Sequence, residues 1–167
     1  MTDTHTTALA QQFGRLLSDR GWMLACAESC TGGLLSAAVT EVAGSSQWFD
    51  RGFVTYSNAA KIEQLRVGDD TLERFGAVSE ETAMEMAAGA LEVSQAQFGI
   101  STTGIAGPGG AVPGKPVGMV CFGFAQRSNQ GITTRAITKV FEGDRAQVRA
   151  AAVAFALHTA LDMIEPE

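Results

Sequence analysis

The sequence predicts one three-layer α/β/α domain built on a mixed, mostly parallel sheet. Strand-length apolar runs alternate with amphipathic segments of helical spacing, glycine marks many of the junctions, and two late apolar runs flank a short polar turn. The alternation calls for parallel strands joined by helices, and the late pair adds an antiparallel hairpin. The chain, 1–167, is expected to form this single unit, with a polar tail over about 1–7.

Leu9, Phe13, Leu16 and Leu17 recur at helical spacing, and Gly21 supplies the stop. Trp22 to Ala27 reads as a buried strand, Glu28-Ser29-Cys30-Thr31-Gly32-Gly33 as a polar loop, and Leu34 to Val39 as a helix ended near Gly44. Phe49 to Ser57 predicts a strand and Ala59 to Val67 a short helix broken at Gly68. Ser79 is an N-cap candidate, with Glu80 and Glu81 suited to the positive end of the helix dipole and Met84, Ala87, Ala88 and Leu91 as the apolar face. Phe98 to Thr103 reads as a strand entering a glycine-rich loop, Gly104 to Gly118. Met119 to Gln126 and Ile132 to Phe141 form the hairpin, turned at Ser128-Asn129-Gln130-Gly131. Asp144 caps a last helix that faces inward through Val148, Ala151, Ala152 and Phe155.

Composition narrows the function classes. With 46% hydrophobic and 18% charged residues, the chain can fill one core and is not of disordered type. A net charge of −6 argues against a general nucleic-acid binder, which needs a basic face for phosphates, yet leaves room for one small anion at a local arginine. No apolar run reaches the roughly 20 residues of a membrane span, and Met1 to Thr7 lacks the layout of a secretion signal. Three cysteines, Cys26, Cys30 and Cys121, suit a reducing cytoplasm better than a disulfide framework. A cytoplasmic protein with a small-molecule partner is the resulting expectation.

The strand–loop–helix around Ser29 is the strongest local signal. Gly32 and Gly33 let backbone approach a ligand, and the Ser29 hydroxyl on such a bend can act as a nucleophile with loop amides as an oxyanion hole. The same stretch also fits a capping serine in a tight turn or a phosphate cradle, and spacing alone does not separate these. A nucleophilic serine needs a proton acceptor. His5 lies in the polar opening, and His158 shares a helix face with Phe155 and Asp162, which gives a Ser-His-Asp triad poor support. Among the three lysines, Lys61 stands out because it follows the sole tyrosine, Tyr56, by five residues, so a strand end and a helix start could aim both at one cleft. A lysine works as a base only when desolvation or nearby positive charge lowers its pKa; an ordinary solvated helix lysine is the other reading.

Two patterns are decoys. Gly109 to Pro116 has glycines and a lysine at phosphate-loop spacing, but Pro116 stands where a magnesium-binding hydroxyl is needed and a strand follows where a helix should. Cys26 and Cys30 have no nearby histidines, so no zinc site is expected; Cys30 is a rival nucleophile on paper and a buried thiol by type. Arg145, opening the last helix, could pair with a phosphate or be a plain exposed arginine.

Taken in order, Ala27-Glu28-Ser29-Cys30-Thr31-Gly32-Gly33, Gly44-Ser45-Ser46-Gln47-Trp48-Phe49, Gly52-Phe53-Val54-Thr55-Tyr56-Ser57-Asn58 with Lys61, Gly76-Ala77-Val78-Ser79 and Gly104-Ile105-Ala106-Gly107-Pro108 closely resemble the CinA C-terminal domain, over about Leu9 to Leu161. Stand-alone members of that family are nicotinamide-nucleotide amidases. The resemblance therefore implies deamidation of nicotinamide mononucleotide to nicotinic acid mononucleotide and ammonia, in pyridine nucleotide recycling. It implies Ser29 as nucleophile, Lys61 as base and Tyr56 as an accessory group, with no cofactor and no metal. Cys30, Thr31, Gly32, Gly33, Gly44, Ser45, Ser46, Asn58, Thr103, Gly104 and Arg145 are the expected substrate contacts. It also implies a homo-oligomer, a dimer being the expected form, and no pyrophosphatase activity, which belongs to an N-terminal domain of longer members. The rival from another class is a non-catalytic nucleotide-sensing or competence-associated interaction domain using the same pocket.

Overall fold

The computed structural model describes residues 2–164. Its elements are α1 (Thr4–Arg20), β1 (Leu24–Glu28), α2 (Leu34–Thr40), a 3-10 turn (Ser45–Gln47), β2 (Phe49–Val54), α3 (Asn58–Leu65), α4 (Asp69–Phe75), α5 (Glu80–Glu92), β3 (Phe98–Gly104), β4 (Met119–Ser128), β5 (Gly131–Val140) and α6 (Arg145–Ile164). One five-stranded sheet runs β2-β1-β3-β4-β5. β1 pairs in parallel with β2 and β3, while β4 is antiparallel to both β3 and β5. Four strands thus share one direction and β4 opposes them, the mixed α/β/α arrangement that the alternation predicts.

Helices cover both faces, and β1 shows why. Leu24 and Cys26 point into one core with Phe13, Leu17, Leu35 and Leu157 of α1, α2 and α6; Ala25 and Ala27 point into the other with Leu65, Met86 and Leu91 of α3 and α5. All five residues of β1 are buried, as a strand covered on both sides requires. The second face is built from small residues, so α5 lies very close to its neighbours. A Cβ on Gly123 of β4 would come within 2.1 Å of Ala83 O, and one on Gly89 within 1.9 Å of Leu65 O.

Local chemistry sets the helix ends. Gly21 adopts φ 66° at the end of α1, and Asp3 caps its start by accepting from Thr6 N–H. Helix α1 therefore begins at Thr4, inside the stretch expected to be a polar tail. Ser79 caps α5 as predicted, and Asp144 and Gln147 cap α6 reciprocally: Gln147 N–H donates to Asp144 Oδ1 and Asp144 N–H to Gln147 Oε1. The sequence does not predict the short helix α4: Gly68, which reads as a stop, stands at that helix's N-cap.

Candidate active site

The carboxyl ends of β1, β2 and β3 lie at one edge of the sheet, where ligands of open α/β sheets bind. Ser29 follows β1, Tyr56 follows β2, and Thr103 to Gly107 close β3 and lead out of it. Because β5 runs in the same direction as β3, α6 also starts at this edge, which brings Arg145 there. These segments enclose a cleft of about 250 Å³.

Its floor holds the central contact. Lys61 Nζ lies 3.0 Å from Ser29 Oγ, 2.9 Å from Thr55 O and 3.4 Å from Tyr56 O. Lys61 is only 1% exposed. It sits on the first turn and a half of α3, whose N-cap Ser57 accepts from Ala60 N–H, so the helix start aims the side chain back under the end of β1. Burial lowers the Lys61 pKa from its ordinary 10.5, a nearby Cys30 acting weakly the other way. Three N–H donors of an ammonium would serve all three oxygens; in the neutral amine two N–H groups keep the carbonyls and the lone pair is left to accept from the serine hydroxyl.

Cys30 lines the same cleft, but burial pushes its thiol up to about 12, so it carries no thiolate at neutral pH and is no competing nucleophile. His158 pairs with Asp162 at 3.5 Å on an exposed turn of α6, 13 residues and so roughly 20 Å of helix beyond Arg145. Among the described residues no histidine triad forms around Ser29.

Of the expected contacts, the structure gathers Ser29, Cys30, Tyr56, Lys61, Thr103, Gly104 and Arg145 at the cleft. The Thr103 hydroxyl donates to Ala77 O at 2.7 Å, anchoring the loop before α5 against β3. Tyr56 is 62% exposed, and its hydroxyl accepts from Arg145 Nη2 at 3.0 Å, while Arg145 Nη1 donates to Gly107 O at 2.7 Å. A relay through the Tyr56 hydroxyl is therefore unnecessary, because the lysine amine meets the serine directly.

The remaining expected contacts do not line this cleft. Gly44, Ser45 and Ser46 precede β2, at the opposite edge of the sheet: Trp48 O pairs with Leu24 N–H at the start of β1, roughly 16 Å along that strand from Ser29. A loop entering a parallel strand cannot reach the edge where its neighbour leaves. Asn58 opens α3 on the exposed surface. The Thr31 side chain is buried, its hydroxyl bonded to Glu28 and Thr102, which leaves only the backbone of this residue to meet a ligand. The Gly32 N–H donates to Ser29 O and the Gly33 N–H to Glu28 Oε1, so these amides serve the turn.

Four residues receive no site role from the sequence: Glu28 and Arg149, which grip the serine loop, and Gly109 and Gly110, which line the cleft although the phosphate-loop pattern they open is a decoy. Arg149 lies one helical turn beyond Arg145, a spacing that could have signalled it. Thr55 Oγ1, buried beside this site, has no hydrogen-bond partner among the described residues.

Fold and site together define a three-layer α/β domain in which a serine hydroxyl and a buried lysine amine face one cleft. The chain belongs to the CinA C-terminal domain family, whose model matches residues 6–164. It is 50% identical over 161 residues to the nicotinamide-nucleotide amidohydrolase PncC of Enterobacter agglomerans, covering 96% of each chain. The protein of the same name from Escherichia coli K12 is 49% identical over 159 residues, covering 95% of this chain and 94% of that one. The crystal structure of the competence/damage inducible protein CihA from Agrobacterium tumefaciens superposes with a TM-score of 0.87 at 44% identity, covering 97% and 98% of the two chains.

Proposed function

We propose that this protein is a nicotinamide-nucleotide amidohydrolase, converting nicotinamide mononucleotide to nicotinic acid mononucleotide and ammonia through a Ser29 acyl-enzyme. The observation that carries the reading is the 3.0 Å contact between Lys61 Nζ and Ser29 Oγ at the floor of the cleft. Full-length likeness to two amidohydrolases of that name supports the substrate.

Neutral Lys61 takes the Ser29 proton as Oγ bonds to the carboxamide carbon, and the carbonyl electron pair moves onto oxygen. The new ammonium keeps its two bonds to Thr55 O and Tyr56 O, so the site that holds the amine also receives the charge. Loop amides after Ser29 support the oxyanion; with Gly32 and Gly33 engaged internally, this role falls to Cys30 and Thr31. Collapse of the tetrahedral intermediate breaks the C–N bond, and Lys61 returns its proton to the leaving nitrogen, which departs as ammonia. Water, deprotonated by the same amine, then attacks the ester and releases the acid, and Ser29 regains its proton. Arg145 at the rim is the cation placed to meet the phosphate.

A pure binding module has no need to bury an amine against a hydroxyl, since desolvating that amine lowers stability. The test is ammonia release from nicotinamide mononucleotide, its riboside and free nicotinamide by the purified protein. Turnover of the nucleotide in preference to the other two supports the proposal; binding without ammonia supports the sensing module, and preference for another amide reassigns the substrate.

A further inference from the structure

The loop carrying Ser29 is gripped from two sides by residues that do not line the cleft. Glu28 is fully buried and accepts five hydrogen bonds. Its Oε1 receives Thr31 Oγ1 at 2.6 Å, Gly33 N–H at 3.2 Å and Leu35 N–H at 2.8 Å. Its Oε2 receives Ser36 N–H at 3.0 Å and Ser36 Oγ at 2.8 Å. A carboxylate only accepts, so every partner suits it. With the Thr31 proton directed at Glu28, the 2.7 Å contact between Thr31 Oγ1 and Thr102 Oγ1 has Thr102 as donor. Ser29 N–H in turn donates to Thr102 O at 2.9 Å, which ties the bend to β3.

From α6, Arg149 Nε donates to Cys30 O at 3.1 Å and Arg149 Nη2 to Thr31 O at 3.2 Å. In a trans peptide the carbonyl and the next N–H point in opposite directions. Holding the Cys30 carbonyl therefore sets the direction of the Thr31 N–H, and holding the Thr31 carbonyl sets that of the Gly32 N–H. The Gly32 N–H closes the turn onto Ser29 O at 3.1 Å.

We infer that Glu28 and Arg149 are positioning residues for the reaction: an acceptor on one side and a donor on the other fix the bend so that Ser29 Oγ stays on Lys61 and the Thr31 N–H is aimed as an oxyanion donor. The inference rests on the reading of Ser29 as nucleophile. Glu28→Gln keeps the shape of the side chain but sets an NH2 group against N–H and O–H donors, and Arg149→Met removes both carbonyl bonds while keeping much of the stem.

The test uses two readouts on wild type, E28Q and R149M: kcat and KM for ammonia release from nicotinamide mononucleotide, and the rate at which a small fluorophosphonate labels Ser29. Circular dichroism and thermal unfolding establish that each variant is folded. The expected result is a fall in kcat of about 30-fold or more for E28Q and about tenfold for R149M. KM should stay within about threefold, labelling should slow in parallel, and the pH midpoint of kcat should stay in place because the burial that lowers the Lys61 pKa is unchanged. Folded variants that keep kcat and labelling within about twofold of wild type overturn the inference, as does a loss confined to KM. Should E28Q not fold, R149M decides. A wild type that labels at Ser29 without consuming the nucleotide removes the proposed substrate, and the labelling rates still judge the two residues; a wild type that does neither overturns both readings.

Discussion

The Lys61 amine lies 3.0 Å from the Ser29 hydroxyl, although 32 positions separate them in the chain. The rest of the amine's surroundings are the carbonyls of Thr55 and Tyr56 and buried protein. This pairing turns an ordinary loop serine into a candidate nucleophile, and its consequences can be measured.

Replacing either partner should stop turnover while the fold survives. Ser29→Ala removes the attacking atom, and Lys61→Arg keeps a positive charge but cannot deprotonate in the working range. Ammonia release from nicotinamide mononucleotide is expected to fall by about 10³-fold or more in each. Lys61→Arg activity near that of wild type would show that the residue binds substrate by charge and removes no proton.

The buried amine should cost stability at neutral pH. Its folded pKa lies below 10.5, so the unfolded chain binds more protons over the interval between the two values. Stability contributed by this group therefore rises as pH climbs through that interval, and the penalty is greatest below the folded pKa. Lys61→Met is expected to raise Tm near pH 7, by about 2–4 °C for each kcal/mol relieved, with the gain shrinking toward pH 10. Thermal unfolding of both proteins across pH 6–10 checks the sign. The same shift places the rising limb of the kcat profile below 10.5, since the base must be neutral.

Arg145 spans the rim between the Tyr56 hydroxyl and Gly107 O. If it meets the phosphate, Arg145→Met should raise KM for the mononucleotide by about tenfold to a hundredfold and change kcat less. Activity toward the riboside, which has no phosphate, should be nearly unaffected. Equal losses on both substrates would assign Arg145 to holding the loop instead.

Gly89→Ala tests the packing behind the base. The added Cβ would sit 1.9 Å from Leu65 O, a backbone atom at the end of the helix that carries Lys61. Since neither backbone can yield cheaply, a loss of about 1–3 kcal/mol is expected in urea unfolding. An unchanged midpoint would mean that α5 can move away from α3 without penalty.

Much of this molecule was legible in order along the chain. The period of the apolar residues located five strands and all of the longer helices, and Gly21, Ser79 and Asp144 marked ends that the structure places within a residue or so. What failed did so for local reasons. Helix α4 has seven residues, too few to show a period, and only Leu72 in it is buried. The opening residues read as a tail because they are polar, yet Asp3 caps a helix there.

The site divides the same way. Ser29, Tyr56 and Lys61 could be singled out by type, spacing and resemblance, and the structure brings all three to one cleft. Gly44, Ser45 and Ser46 belong to an equally distinctive stretch but stand at the opposite sheet edge, because a loop that enters a parallel strand lies at the other end from the loops that leave its neighbours. Glu28 looked like one more polar loop residue; only folding surrounds its carboxylate with five donors. Periodicity and side-chain chemistry are local properties, so the alternation of elements, the acidic balance and the residue types available for chemistry can be read along the chain. Tertiary structure alone decided which of those residues touch and which amine loses its water, because distance and desolvation exist only once remote segments pack together.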